Sequence, residues 1–154
     1  MQEHISPQQA REQAAEALGF LASIVIRIKD EDFEIPQRGL LDEDQRERMN
    51  ALELETESWD HEPDTTASDG TVIPGAMKIP HRKNGKLITP AYAVRVATAL
   101  WGKEKYERYK AGGGRATDVT ATLARLDRRV EEREKRDPKS SDRDSGAQSV
   151  ADAD

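Results

Sequence analysis

Residues 89–136 read TPAYAVRVATALWGKEKYERYKAGGGRATDVTATLARLDRRVEEREKR, and this stretch decides the fold class. Thr89-Pro90 is a strong helix start, because Thr caps free amides and Pro is tolerated at the first helical position. Ala93, Val96, Ala97 and Leu100 fall on one helical face, with Val94 and Trp101 beside it. Gly102 interrupts the pattern. A second helix is expected over 103–110, with Tyr106 and Tyr109 three apart, and Gly112-Gly113-Gly114 ends it. A last helix starts at Thr117 or Asp118 and stops at Asp137-Pro138. Its Val119, Leu123, Leu126 and Val130, at spacings of four, three and four, form a narrow stripe on a highly charged rod.

Upstream, Asn84-Gly85 is a two-residue turn signal, since both positions accept positive φ. Its flanks are weak strands, and Pro80 belongs on an edge. The segment His61 to Gly70, HEPDTTASDG, has no periodicity and many breakers, so 61–77 reads as a linker. Before it, Met49, Leu52, Thr56 and Trp59 define an amphipathic helix over 43–58, with Asp42 and Asp44 at its positive end. Trp59 is a core anchor in this reading. Ile24, Ile26 and Ile28, then Phe33 and Ile35, alternate at period two. They predict a hairpin pairing 23–29 with 32–36; one helix from Pro7 through Ile28 is the rival. Ser6-Pro7 opens a first helix that Gly19 ends. Its face is mostly alanine, so it buries little area and is prone to fraying.

The expected fold is therefore mainly α: a small helical domain with one or two short β-hairpins and a disordered C-terminal tail. The segments are an N-terminal helix at 1–22, a hairpin plus amphipathic helix at 23–60, and a linker at 61–77. A basic hairpin plus three helical segments follow at 78–137. The tail at 138–154 is rich in Ser, Asp, Gly, Ala and Gln.

Composition narrows the functional classes. The chain has 154 residues, of which Leu, Ile, Val and Phe supply only 27 while 35% are charged. The net charge of -6 hides blocks: residues 42–69 carry net -9 and residues 70–111 net +7. Such neighbours attract within one molecule or between copies. No cysteine is present, which excludes a disulfide scaffold, thiol catalysis and cysteine-ligated metal. The longest apolar run, Phe20 to Ile26, is too short to span a bilayer, and no signal peptide opens the chain. A cytoplasmic location is expected.

The residues of enzymatic chemistry are scattered. His4, His61 and His81 have no metal-ligand spacing on a helix. Asp60, His61 and Asp64 come nearest to a ligand set, and a solvated loop explains them. Gly112–Gly114 lacks the preceding strand and the Lys-Ser/Thr of a phosphate loop; Arg115 before a helix start could meet a phosphate, but Asp118 argues against it, and the segment reads as a flexible helix–helix corner. No catalytic, cofactor or metal site is expected. Lys78, Arg82, Lys83 and Lys86 around the hairpin, with Arg125, Arg128 and Arg129 on the last helix, make a basic set. Asp127, Glu131, Glu132 and Glu134 on that helix weigh against nucleic-acid binding.

What remains is a binding or assembly protein. The stripe at 119–130 must pack on the 90–110 helices, on a second copy, or on an amphipathic partner helix. Fully burying its two leucines and two valines is worth on the order of 6–10 kcal/mol before entropy costs. Val119, Leu123, Leu126 and Val130, with Tyr106 and Tyr109, form or abut a partner-binding surface. The alternative is that these six make the chain's own core.

Two strings carry a family resemblance. The first is Phe33-Glu34-Ile35-Pro36 followed by Leu41-Asp42-Glu43-Asp44-Gln45-Arg46-Glu47-Arg48. The second is Ala93 to Leu100 followed by Trp101-Gly102-Lys103-Glu104-Lys105-Tyr106-Glu107-Arg108-Tyr109-Lys110-Ala111-Gly112-Gly113. Over about residues 20–136 the chain resembles tail assembly chaperones of siphophages infecting actinobacteria, most distinctively from Gly102 to Gly113. The resemblance implies a helical, non-enzymatic chaperone of the tape measure protein. Such a chaperone acts in the host cytoplasm while the tail tube polymerises, and is absent from the mature virion. In similar systems a programmed frameshift appends a longer C-terminal domain to some copies, and the segment after Pro138 suits such a joint. A head–tail connector or tail-completion subunit is the first alternative, and a nucleic-acid-binding regulator the second.

Overall fold

A computed structural model describes residues 1–19 and 21–136. The chain is mainly α, with five α-helices and three two-stranded antiparallel hairpins among the described residues. The tail expected at 138–154 lies outside the described residues. The described residues form two compact units, one from 1–40 with 121–136 and one from 41–120. The boundaries read from composition cut the chain elsewhere, because breakers mark local turns whereas units follow contacts between distant segments.

In the first unit, helix α1 spans Pro7–Leu18. Ser6 Oγ accepts from the Gln9 amide at 3.1 Å, and Gln9 Oε1 accepts from the Ser6 amide at 2.9 Å. This reciprocal cap satisfies two orphan donors. Gly19 ends the helix at φ 78°, which breaks the rival continuous helix at a residue free to turn left-handed. Only Ala15 of α1 is buried, as an alanine face implies. Strand β1 (Ser23–Ile28) pairs with β2 (Glu31–Pro36) around a turn at Lys29-Asp30. The register sets Ile24 opposite Ile35 and Ile26 opposite Phe33 on one face, and Arg27 opposite Asp32 on the other. Phe33 and Ile35 are fully buried. A one-residue slip would move the whole apolar set to the wrong face, so the alternation fixes the pairing. A short 3-10 turn at Arg38–Leu40 follows, and its Arg38 Nε donates to Asp127 Oδ2 at 2.9 Å. Asp127 lies on helix α5, Ala116–Arg136, whose residues from 121 onward belong to this unit.

In the second unit, helix α2 spans Glu43–Thr56 behind an Asp42–Gln45 capping box. Met49, Leu52, Thr56 and the following Trp59 are all buried, matching the predicted face. They pack beside helix α3, Tyr92–Trp101, which buries Val96, Ala97, Ala99 and Leu100. α3 starts two residues later than Thr89-Pro90 predicts. The carbonyls of Thr89 and Pro90 are taken instead by the Arg95 guanidinium, at 3.1 and 2.9 Å. At its other end, the carbonyls of Ala99 and Leu100 accept from Arg48 Nε (2.7 Å) and Gln45 Nε2 (3.0 Å) of α2. Side chains of one helix thus satisfy orphan carbonyls of the next, and a cation sits at the negative end of the dipole. Gly102, at φ 83°, separates α3 from α4, Lys103–Ala111.

The stretch predicted as a linker is an arm. Strands β3 (Thr65–Thr66) and β4 (Val72–Ile73) pair, and a further bridge joins His61 to Met77. Strands β5 (Arg82–Lys83) and β6 (Lys86–Leu87) flank the Asn84-Gly85 turn as predicted. The Asp60 backbone joins the two hairpins, its amide donating to the Arg82 carbonyl (2.7 Å) and its carbonyl accepting from the Lys78 amide (3.0 Å). The 61–77 part of the arm escaped the sequence reading because it is held by backbone and carboxylate hydrogen bonds, which impose no apolar period.

Candidate functional site

The six stripe residues come out unequally. Tyr106, Tyr109, Val119, Leu123 and Leu126 are buried, with Val119 at 0% and Leu123 and Leu126 at 1% exposure. Val130 is half-buried. Five of the six are enclosed in the folded chain, so they serve its own core, which was the alternative reading of the stripe. Val119 belongs to the second unit, whereas Leu123, Leu126 and Val130 belong to the first.

The glycine corner between α4 and α5 is a locked joint. A Cβ at Gly114 would lie 2.3–2.5 Å from the Tyr109 ring, so only glycine admits the ring there. Tyr109 Oη donates to Asp118 Oδ2 at 2.7 Å, and the same oxygen accepts from the Arg115 amide at 2.8 Å. The Arg115 amide, aided by the Tyr109 hydroxyl, holds the Asp118 carboxyl below the usual carboxylate range. Burial, reinforced by Asp118, pushes the Tyr109 hydroxyl up. The helix start that could have met a phosphate is thereby filled by the chain's own carboxylate. The signal for this was an acid three residues after the residue preceding the helix.

The second unit carries two open apolar features. A groove of about 340 Å³ runs beside α2 and α3, lined by Ala51, Leu52, Pro90, Thr98 and Ala99. Arg48, Arg95 and Glu55 edge it, with Arg95 Nη1 2.7 Å from Glu55 Oε1. A second pocket, of about 290 Å³, lies at the root of the arm between Ile79, His81, Leu87, Ile88 and Tyr92. Behind it Trp59, His81 and Tyr92 form an aromatic trio with centroids 5.4–6.0 Å apart, and the Arg95 guanidinium stands 5.6 Å over Trp59. These are ordinary edge and tilted aromatic contacts with a cation–π cap.

Asp60 is the residue the sequence reading undervalued. Its two carboxylate oxygens accept from the Asn84 and Gly85 amides at 2.9 and 2.8 Å, which holds its carboxyl below the ordinary range. The need of the Asn84-Gly85 turn amides for an acceptor was visible; which acid would supply it was not. His61 Nδ1 faces the Trp59 carbonyl at 2.6 Å, and Asp64 Oδ1 accepts from the Gly75 amide. The Asp60, His61 and Asp64 side chains are therefore engaged separately. Among the described residues no group of three His, Asp or Glu could hold a metal ion, and no helix is long and apolar enough to cross a membrane.

Fold and site together define a mainly α chain whose second unit carries an open apolar groove flanked by helices and a pocket at the root of a basic arm. Compared with known proteins, it matches no family model, no curated protein and no solved structure.

Proposed function

We propose that this chain is a non-enzymatic tail assembly chaperone that binds the tape measure protein in the host cytoplasm, assists tail tube assembly and leaves before the virion matures. The observation that carries the reading is the open groove beside α2 and α3. It offers an apolar floor bounded by charges of both signs, the form in which an amphipathic helix lays its apolar face on a partner. Releasable contacts of this kind suit a client that must be handed on. The helix, glycine corner and final helix, on which the resemblance rests most, support the same reading. The six-residue stripe is replaced as the client surface, because five of its members are enclosed.

Co-expression with the very long helical product encoded near the tube protein tests it. The client should stay soluble only with this chain present, and Ala51→Glu, at an exposed position in the groove, should abolish the rescue while leaving the circular dichroism spectrum unchanged. Unimproved solubility of the client would make the chaperone reading wrong. Recovery of the chain from mature particles at a fixed ring stoichiometry would favour the connector reading instead. Retention on duplex DNA with a steep salt slope would favour the regulator.

A further inference from the structure

The second unit carries two exposed surfaces of opposite character. On α2, Leu54 is 67% exposed and shares its helical face with Glu47 and Glu57, both exposed. At the root of the arm, the pocket of about 290 Å³ has Ile79 and Leu87 on its rim, 89% and 60% exposed. Arg82, the cross-strand partner of Leu87, stands on the same face of the hairpin as that rim, while Lys83 and Lys86 pair on its other face, so the hairpin as a whole is basic. Neither Glu47 and Glu57 nor Arg82, Lys83 and Lys86 has a salt-bridge partner among the described residues.

Both surfaces belong to the second unit. Tyr92 lines the pocket, and its hydroxyl donates to Glu53, the residue before Leu54, at 2.8 Å. On one molecule Leu54 stands in water rather than in the pocket. Two mutually complementary patches on one molecule are what a two-fold axis satisfies, since the same operation presents each patch to its complement twice. We propose that residues 41–120 pair with a second copy of this chain through such an isologous interface. Leu54 of one copy enters the pocket of the other, and Glu47 and Glu57 face the partner copy's basic hairpin. Apolar burial supplies the anchor, and the complementary charges set register and exclude the parallel arrangement, in which like charges would meet. The inference does not rest on the proposed chaperone activity, because it concerns the purified chain alone.

Sedimentation velocity of the full chain over the micromolar range tests it. The expected result is a reversible species of twice the monomer mass that weakens as salt is added. Leu54→Glu should abolish it. The double reversals Glu47→Lys with Glu57→Lys, and Arg82→Glu with Lys86→Glu, should each weaken it by at least about tenfold, and mixing these two variants should restore a heterodimer. All substituted side chains are exposed, so unchanged circular dichroism and thermal unfolding provide the folding control. A monomer at every concentration would overturn the proposal. So would a dimer indifferent to Leu54→Glu, a mixture that fails to associate, or growth beyond two copies.

Discussion

The α4–corner–α5 joint and the arm at 60–88 belong to one unit, yet the first encloses its large apolar side chains while the second leaves them in water. Tyr106, Tyr109 and Val119 are 6% exposed or less. Val72, Ile73, Ile79 and Leu87 are each more than half exposed. The joint is held by packing with one hydrogen-bonded lock. The arm is held by strand pairing and by the two oxygens of Asp60. An element stabilised without burial is free to present apolar groups to something else, and the arm's pocket and rim do so. The enclosed stripe is core, whereas the arm's exposed apolar groups lie where no period marked them.

This contrast can be broken by substitution. The largest effect is expected in the enclosed stripe, where Leu123→Ala should cost about 2–5 kcal/mol in denaturant unfolding. A loss below 1 kcal/mol would mean that the stripe is not core. Next comes the joint: Gly114→Ala drives a methyl into the Tyr109 ring and should destabilise by about 1–3 kcal/mol, a cost that the added Tyr109→Ala change should largely mask. Tyr109→Phe keeps the ring and removes only the donor to Asp118, so about 1 kcal/mol is expected.

Acid sharpens the same point. The Asp118 carboxyl lies below its ordinary value in the folded chain, so its contribution is whole above about pH 4 and drains away as pH falls through the lowered value. The stability gap between the wild-type chain and Asp118→Asn should therefore narrow on acidification below about pH 4. A gap that widens would contradict the assignment. The smallest effect on global unfolding is expected in the arm. Asp60→Asn exchanges an acceptor pair for a poorer one, and should leave the helical circular dichroism signal in place while proteolysis near Gly70 accelerates. Cooperative loss of the helices on that substitution would show that the arm is not the separate construction described here.

Much of the fold was legible because it depends on rules that act over a few residues. Ser6-Pro7, Gly19, Asn84-Gly85, Gly102 and the glycine corner punctuate the chain where helices and turns begin and end. The alternation at Ile24–Ile28 and Phe33–Ile35 yields the hairpin within a residue of its observed span. Thr89-Pro90 misled by two residues because a guanidinium six positions on claimed the carbonyls, and nothing local announces such a competitor.

The amino-acid order alone determined that the chain is mainly helical, where two of its three hairpins turn, and which residues share an apolar face, because spacing and backbone preference are local properties. Which faces are buried, which carboxylate holds which amides, and which apolar groups stay open to a partner were decided only in the tertiary structure. Those outcomes depend on segments far apart in sequence meeting in space, and a period in the chain records that a face is apolar without recording what covers it.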